Sequence, residues 1–125
     1  MALSVALVGA GNISTAHIAA TQQAPGIDLV GIYDQDQARA RERAQAHGIP
    51  RVYGTWNELL ADSSVGCVGV LLPHDLHERF TIEALEAGKH VVCEKPLGQS
   101  IAECDRMLAA AEKANRRLLT VQNRV

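Results

Sequence analysis

The sequence predicts an α/β fold, a doubly wound parallel sheet of about six strands in the order 3-2-1-4-5-6 with helices on both faces. Three observations carry this expectation. Short apolar runs rich in Val, Leu and Ile alternate with helical patterns along all 125 residues, which calls for right-handed crossovers between parallel strands. The first run ends in Gly9-Ala10-Gly11 and passes at once into a helical pattern. A second run closes on Asp34, twenty residues beyond Ser14. A strand that turns through Gly-x-Gly into a helix leaves backbone N–H groups free at the positive end of the helix dipole, which suits a pyrophosphate. An acidic residue about 20 residues further on suits a ribose.

Each element has a local reason. Leu3 to Val8 is an apolar run bounded by glycine, the mark of a strand covered on both faces. The first helix spans Asn12 to Gln23, with Ile13, Ala16 and Ala20 in helical spacing, and stops at Pro25-Gly26. Asp28 to Tyr33 is the second strand. Asp36 can cap the Ala- and Arg-rich helix that follows and ends at Gly48. Arg51 to Tyr53 is a short third strand, and Thr55 with Glu58 forms a capping box for a short helix to Ala61. Gly66 to Leu72 is a fourth, wholly apolar strand ended by Pro73. His74 to Ala87 is helical, with Leu76, Phe80, Ala84 and Ala87 on one stripe, and Gly88 closes it. Lys89 to Cys93 is the fifth strand. Ser100 and Glu103 form a second capping box, opening a helix whose inner stripe reads Ile101, Cys104, Leu108 and Ala111. Arg117 to Val121 is the sixth strand. No linker or internal repeat divides the chain, so residues 1–125 read as one domain.

Composition narrows the function classes. Charged residues make up 21% and the formal net charge is −2, without the basic patch of a nucleic-acid surface. No apolar run approaches a membrane span, and the N-terminus lacks the basic start of a signal peptide. Cys67, Cys93 and Cys104 fall within strands or a helix and read as small buried hydrophobes of a reducing compartment. The expected location is the cytoplasm.

The Gly motif sets the chemistry. Gly9 permits the turn, Gly11 lets an anion approach the backbone, and Asn12 and Ile13 open the helix toward the same anion. Ser14 takes the third small position of G-x-G-x-x-G. Asp34 can accept from both hydroxyls of an adenosine ribose and would repel a 2′-phosphate; Gln35 and Asp36 follow it, not Arg. This favours NAD over NADP as the cofactor. The plainer alternative is a loop Asp capping the next helix. Ligands bind at the carboxyl ends of strands in open parallel sheets. There the fourth and fifth strands offer Leu72-Pro73-His74-Asp75-Leu76-His77 and Glu94-Lys95-Pro96. Leu72, Pro73, His77, Glu94 and Lys95 are therefore expected to line one crevice beside the cofactor. Lys95 could donate a hydrogen bond to an alcohol or carbonyl, or relay a proton, although spacing alone favours a solvated loop lysine. Glu94 is either a surface carboxylate or the group that orients Lys95. His74, Asp75 and His77 have poor metal-ligand geometry without a distant fourth ligand, so no metal site is expected. His17 reads as a partly buried structural residue, and His47 and His90 as surface or edge residues.

Several of these segments together resemble the N-terminal half of the Gfo/Idh/MocA family, the glucose-fructose oxidoreductase and inositol dehydrogenase-like enzymes. They are Gly9-Ala-Gly11-Asn-Ile-Ser-Thr-Ala-His17, Tyr33-Asp34, Leu72-Pro73-His74-Asp75-Leu76-His77, Ala87-Gly88-Lys89-His90-Val91, Glu94-Lys95-Pro96-Leu97 and Gln122-Asn123-Arg124. The resemblance covers essentially the whole chain. It implies a Rossmann domain and a nicotinamide cofactor that oxidises or reduces a hydroxyl-bearing carbon, usually on a sugar, polyol or cyclitol. It also implies that Lys95, from the family's E-K-P motif, lies by nicotinamide and substrate as the catalytic group. The family's second, C-terminal domain supplies further substrate-binding groups and often an oligomer interface, and it is expected to be absent from these 125 residues; the resemblance leaves room for a homo-oligomer. Two rivals are a non-catalytic dinucleotide-binding module and an S-adenosylmethionine methyltransferase, which would have no use for the E-K-P lysine.

Overall fold

In the computed structural model, residues 3–11, 14–94 and 100–121 are described. Six parallel strands form one sheet in the order β3-β2-β1-β4-β5-β6. The strands are β1 (Leu3–Val8), β2 (Ile27–Tyr33), β3 (Arg51–Val52), β4 (Cys67–Val70), β5 (His90–Glu94) and β6 (Leu118–Val121). The helices are α1 (Ser14–Gln23), α2 (Gln37–His47), α3 (Trp56–Ala61), α4 (His74–Glu86) and α5 (Ile101–Ala114). The expected topology is therefore the observed one, with strand ends differing by one to two residues.

The alternation along β1 explains how one sheet carries two cores. Ala6 and Val8 face a cluster with Val68, Val70, Leu85, Val91, Cys93 and Met107. Val5 and Leu7 face the opposite side, with Ile18, Leu29, Ile32, Ala40, Ala44 and Leu71. A parallel sheet buried on both faces needs both sets apolar, which is why the strands read as continuous hydrophobic runs. Leu7, Gly69, Val92 and Leu119 stand in register across β1, β4, β5 and β6. Between α1 and this row lies an apolar groove of about 300 Å³.

The caps form largely as the local chemistry dictates. Asp36 accepts from Arg39 N at 3.2 Å to start α2, and Gly48 ends it in the left-handed region at φ 69°. Thr55 Oγ1 accepts from Glu58 N at 3.1 Å. The returning bond of this box goes one residue further than expected: Glu58 Oε2 accepts from Gly54 N at 3.1 Å, not from Thr55 N. Ser100 Oγ accepts from Glu103 N at 3.2 Å and opens α5.

Two helical stripes are rotated from their expected phase. On α4 the fully buried positions are His77, Thr81, Ala84 and Leu85, while Ala87 is exposed. On α5, Ile101 and Leu108 are 83% and 52% exposed, and the inward residues are Met107 and Ala111. The cause is docking: α4 and α5 pack against each other and share one core cluster with the strands, and that joint packing selects which face turns in. Polar His77 and Thr81 hide the true α4 stripe from a purely apolar count.

At the starting ends of β4 and β5 a polar cluster ties loops together. Lys89 is 5% exposed, and its Nζ donates to the carbonyl oxygens of Asp62 at 2.7 Å and Val65 at 2.8 Å. Burial pushes its ammonium below the ordinary lysine range. The Asp62 carboxylate accepts from Tyr53 OH at 2.7 Å, from Ser64 N at 3.0 Å and Oγ at 2.6 Å, and from Arg51. The hydroxyl bonds of Ser64 and Tyr53 hold its carboxyl well below the usual carboxylate range. Tyr53 lies across Gly31, where a Cβ would strike the ring. Its phenol is pushed up to about 12, first by burial and then by the bond to Asp62.

Candidate cofactor site

The carboxyl ends of β1, β2, β4 and β5 meet at one edge of the sheet, and the Gly turn sits there. Gly9 has φ 110°, and a Cβ on it would lie 2.5 Å from the carbonyl oxygen of Leu71. Only glycine satisfies both the backbone conformation and that approach. Gly9 N donates to Tyr33 O and Leu71 N to Val8 O, each at 2.8 Å, so the turn is anchored to β2 and β4 together. Gly11 is different: a Cβ there would meet nothing within 4 Å. The space outside Gly11 is open, as an anion cradle at the start of α1 requires. Asn12 and Ile13, expected to bind the same anion, lie outside the described residues.

Ser14 does more than remain small. It is fully buried, and its Oγ donates to Gly11 O at 2.6 Å, alongside its backbone N at 3.0 Å. The turn is thus closed onto the first turn of α1 by two bonds to one carbonyl.

Asp34 follows the last residue of β2 and stands beside the turn. Its Oδ2 accepts from Ala10 N at 2.6 Å and its Oδ1 from Asp36 N at 2.7 Å. Each carboxylate oxygen has a second lone pair for a further donor such as a ribose hydroxyl. Gln37 Nε2 donates to Asp34 O at 2.9 Å and to Tyr53 O at 3.1 Å, joining the ends of β2 and β3. Sequence reasoning missed Gln37 and the Ala10 contact. Both depend on the β1–β2 register, in which Val8 pairs with Tyr33, and no local pattern announces that.

On the other side of the turn, Leu72 is half-buried and Pro73 exposed, and Pro73 stands at the N-cap of α4. Pro73 O accepts from Leu76 N at 2.9 Å. His77, expected to line the crevice, is fully buried instead, and its Nε2 donates to Leu72 O at 2.7 Å. It touches the Leu72 backbone at the crevice wall. Glu94 is the last residue of β5, in register with Val121 of β6. Its side chain, and the whole of Lys95, lie outside the described residues. The structure therefore brings together Gly9, Gly11, Asp34, Leu72 and Pro73, with the Glu94 backbone at the same sheet edge.

No disulfide joins the cysteines: Cys67 and Cys93 are buried and Cys104 is half-buried. Burial pushes the Cys67 thiol up to about 11, which suppresses the reactive thiolate. Among the described residues, no helix is long and apolar enough to cross a membrane.

Comparisons with known proteins agree with this geometry. The profile described as "Oxidoreductase family, NAD-binding Rossmann fold" matches residues 3–122. An uncharacterized oxidoreductase, ORF334 of Rhizobium meliloti, is 41% identical over 118 residues, covering 90% of this chain and 35% of the relative. The human trans-1,2-dihydrobenzene-1,2-diol dehydrogenase is 39% identical over 113 residues, covering 89% and 34%. Among solved structures, an NAD-binding protein from Listeria innocua superposes with a TM-score of 0.92 at 31% identity, over 98% of this chain and 36% of that one. GenD2 from gentamicin A biosynthesis, in complex with NAD, gives 0.89 at 33% identity, over 95% and 34%. A variant of KijD10, a 3-ketoreductase from Actinomadura kijaniata in complex with NADP, gives 0.90 at 28% identity, over 97% and 38%. The chain spans about a third of the length of the curated relatives it matches. With the glycine turn, the carboxylate beside it and a profile match over residues 3–122, this chain belongs to the Gfo/Idh/MocA oxidoreductase family and is its NAD-binding Rossmann domain.

Proposed function

We propose that this domain binds NAD(H) in preference to NADP(H) and serves an oxidoreductase that moves a hydride to or from a hydroxyl-bearing carbon of a sugar, polyol or cyclitol. The observation that carries the cofactor preference is the Asp34 carboxylate, set 2.6 Å from the turn's Ala10 N with no Arg after it. A 2′-phosphate at that place would meet a negative charge, whereas ribose hydroxyls meet free lone pairs. The nicotinamide, when bound, supplies the hydride acceptor or donor. The protein's part is to hold the dinucleotide: Gly11, with Asn12 and Ile13, at the pyrophosphate, Asp34 at the ribose, and Leu72, Pro73 and Glu94 beside the nicotinamide end. His77 keeps the Leu72 carbonyl in place. Lys95 is assigned the catalytic role of donating to, or taking a proton from, the substrate hydroxyl, a contribution typically worth about 10²–10⁴-fold.

Hydride transfer also needs the donor carbon held in a near-attack geometry with water excluded, which can supply roughly 7–11 kcal/mol of a barrier. One third of a relative's length offers one wall of such a site. The 125 residues are therefore expected to bind cofactor without turning over substrate. Calorimetric titration with NAD(H) and NADP(H) tests the preference, and equal or tighter NADP(H) binding refutes it. Incubation with NAD and a panel of inositols, aldoses and polyols, followed by NADH absorbance, tests the turnover. Substrate-dependent NADH formation that disappears in Lys95→Ala would show that this chain closes the site by itself or with a second copy.

A further inference from the structure

We infer that Asp34 is also a positioning residue for the phosphate turn, shaping the Gly9–Gly11 backbone before any ribose arrives; this rests on the NAD-binding reading above. The turn has three fixed points. Gly9 is pinned by Tyr33 O and by the Leu71 carbonyl it nearly touches. Gly11 is pinned through its carbonyl by Ser14. Between them Ala10, whose side chain is fully buried, has its N–H taken by Asp34 Oδ2 at 2.6 Å. The Ala10 amide is thus committed to Asp34, so the donors for an anion are those beyond it. The carboxylate is itself held: Asp36 N fixes Oδ1 at 2.7 Å, and Gln37 fixes the Asp34 carbonyl. A carboxylate at this distance repels a pyrophosphate electrostatically. Retaining it beside the turn makes sense if its brace offsets that repulsion.

The two effects have opposite signs, which makes the brace testable. The probe is 2′,3′-dideoxyadenosine diphosphate, which keeps the pyrophosphate and lacks both ribose hydroxyls, compared with ADP by calorimetry. If Asp34 only recognises the ribose, Asp34→Ala weakens ADP and leaves the dideoxy ligand unchanged or tighter, because a negative charge has gone. If it braces the turn, Asp34→Ala weakens the dideoxy ligand as well, by an expected threefold or more. A ligand-free readout accompanies this: amide hydrogen exchange of Ala10, expected to quicken at least tenfold in Asp34→Ala. Asp34→Asn, which keeps one carbonyl acceptor, serves if the alanine variant does not fold, and is expected to exchange more slowly than alanine. Unchanged Ala10 exchange, or undiminished dideoxy-ligand affinity, overturns the inference. Failure of the wild-type chain to bind NAD or ADP would instead overturn the cofactor reading, with the exchange experiment still deciding whether the brace exists.

Discussion

Two glycines of one turn should fail in different ways when substituted. Gly9→Ala places a methyl 2.5 Å from the Leu71 carbonyl oxygen and 2.8 Å from its carbon, at φ 110°. The left-handed conformation costs about 1–3 kcal/mol for a residue with a Cβ, and forcing an extra carbon into a packed site costs about 1–3 kcal/mol more. Reduced freedom of the unfolded chain returns about 0.4–1 kcal/mol. The expected net loss is about 1–5.5 kcal/mol, at its upper end a large share of a typical domain stability of about 5–15 kcal/mol. At roughly 3–6 °C per kcal/mol for a domain of this size, the midpoint should fall by about 3 °C at the low end and by well over about 10 °C at the high end. Gly11→Val carries neither penalty, since its φ is not in the left-handed region and its Cβ meets nothing within 4 Å. It should fold like the wild type and lose NAD, because the side chain fills the space the pyrophosphate needs. Urea denaturation of both variants, with NAD titration of Gly11→Val, separates the two roles. A Gly9→Ala loss under about 1 kcal/mol would refute the clamp on Leu71, and unchanged NAD affinity in Gly11→Val would show that Gly11 is only structural.

Two further expectations concern the packing. Because the Tyr53 phenol is raised to about 12 by burial and by Asp62, unfolding releases its proton above the ordinary tyrosine value of about 10. The stability it supports is complete below that pH and declines as pH rises toward 12, by up to about 1.4 kcal/mol per pH unit. Denaturation at stepped alkaline pH should show Tyr53→Phe with a flatter decline than wild type, and parallel curves would contradict the assignment. On α5, Met107→Ala should cost about 2–5 kcal/mol, because Met107 is fully buried. Leu108→Ala, at a position 52% exposed, should stay within about 1 kcal/mol; equal losses in urea would restore the stripe through Ile101 and Leu108.

What the sequence determined by itself is everything whose cause is local. The apolar run before Gly9-Ala10-Gly11 makes a strand that must turn, Asp36, Thr55 and Ser100 cap helices through atoms three residues away, and unbroken strand–helix alternation leaves few sheet orders available. The placement of Asp34 by the turn was legible for the same reason, since the strand-turn-helix unit fixes where a second parallel strand ends. Tertiary structure decided whatever depended on register and docking between distant segments. Helical spacing on α5 allows either Leu108 or Met107 to turn inward, and only contact with α4 and the sheet chooses Met107. His77 looked like a crevice residue because it is polar and near a strand end, yet the packing of α4 buries it, with its Nε2 donating to Leu72 O. The bond from Ala10 N to Asp34 joins residues 24 positions apart. It forms because β1 and β2 pair with Val8 opposite Tyr33, and that alignment is set by the energy of whole faces packing together, which no short stretch of sequence contains.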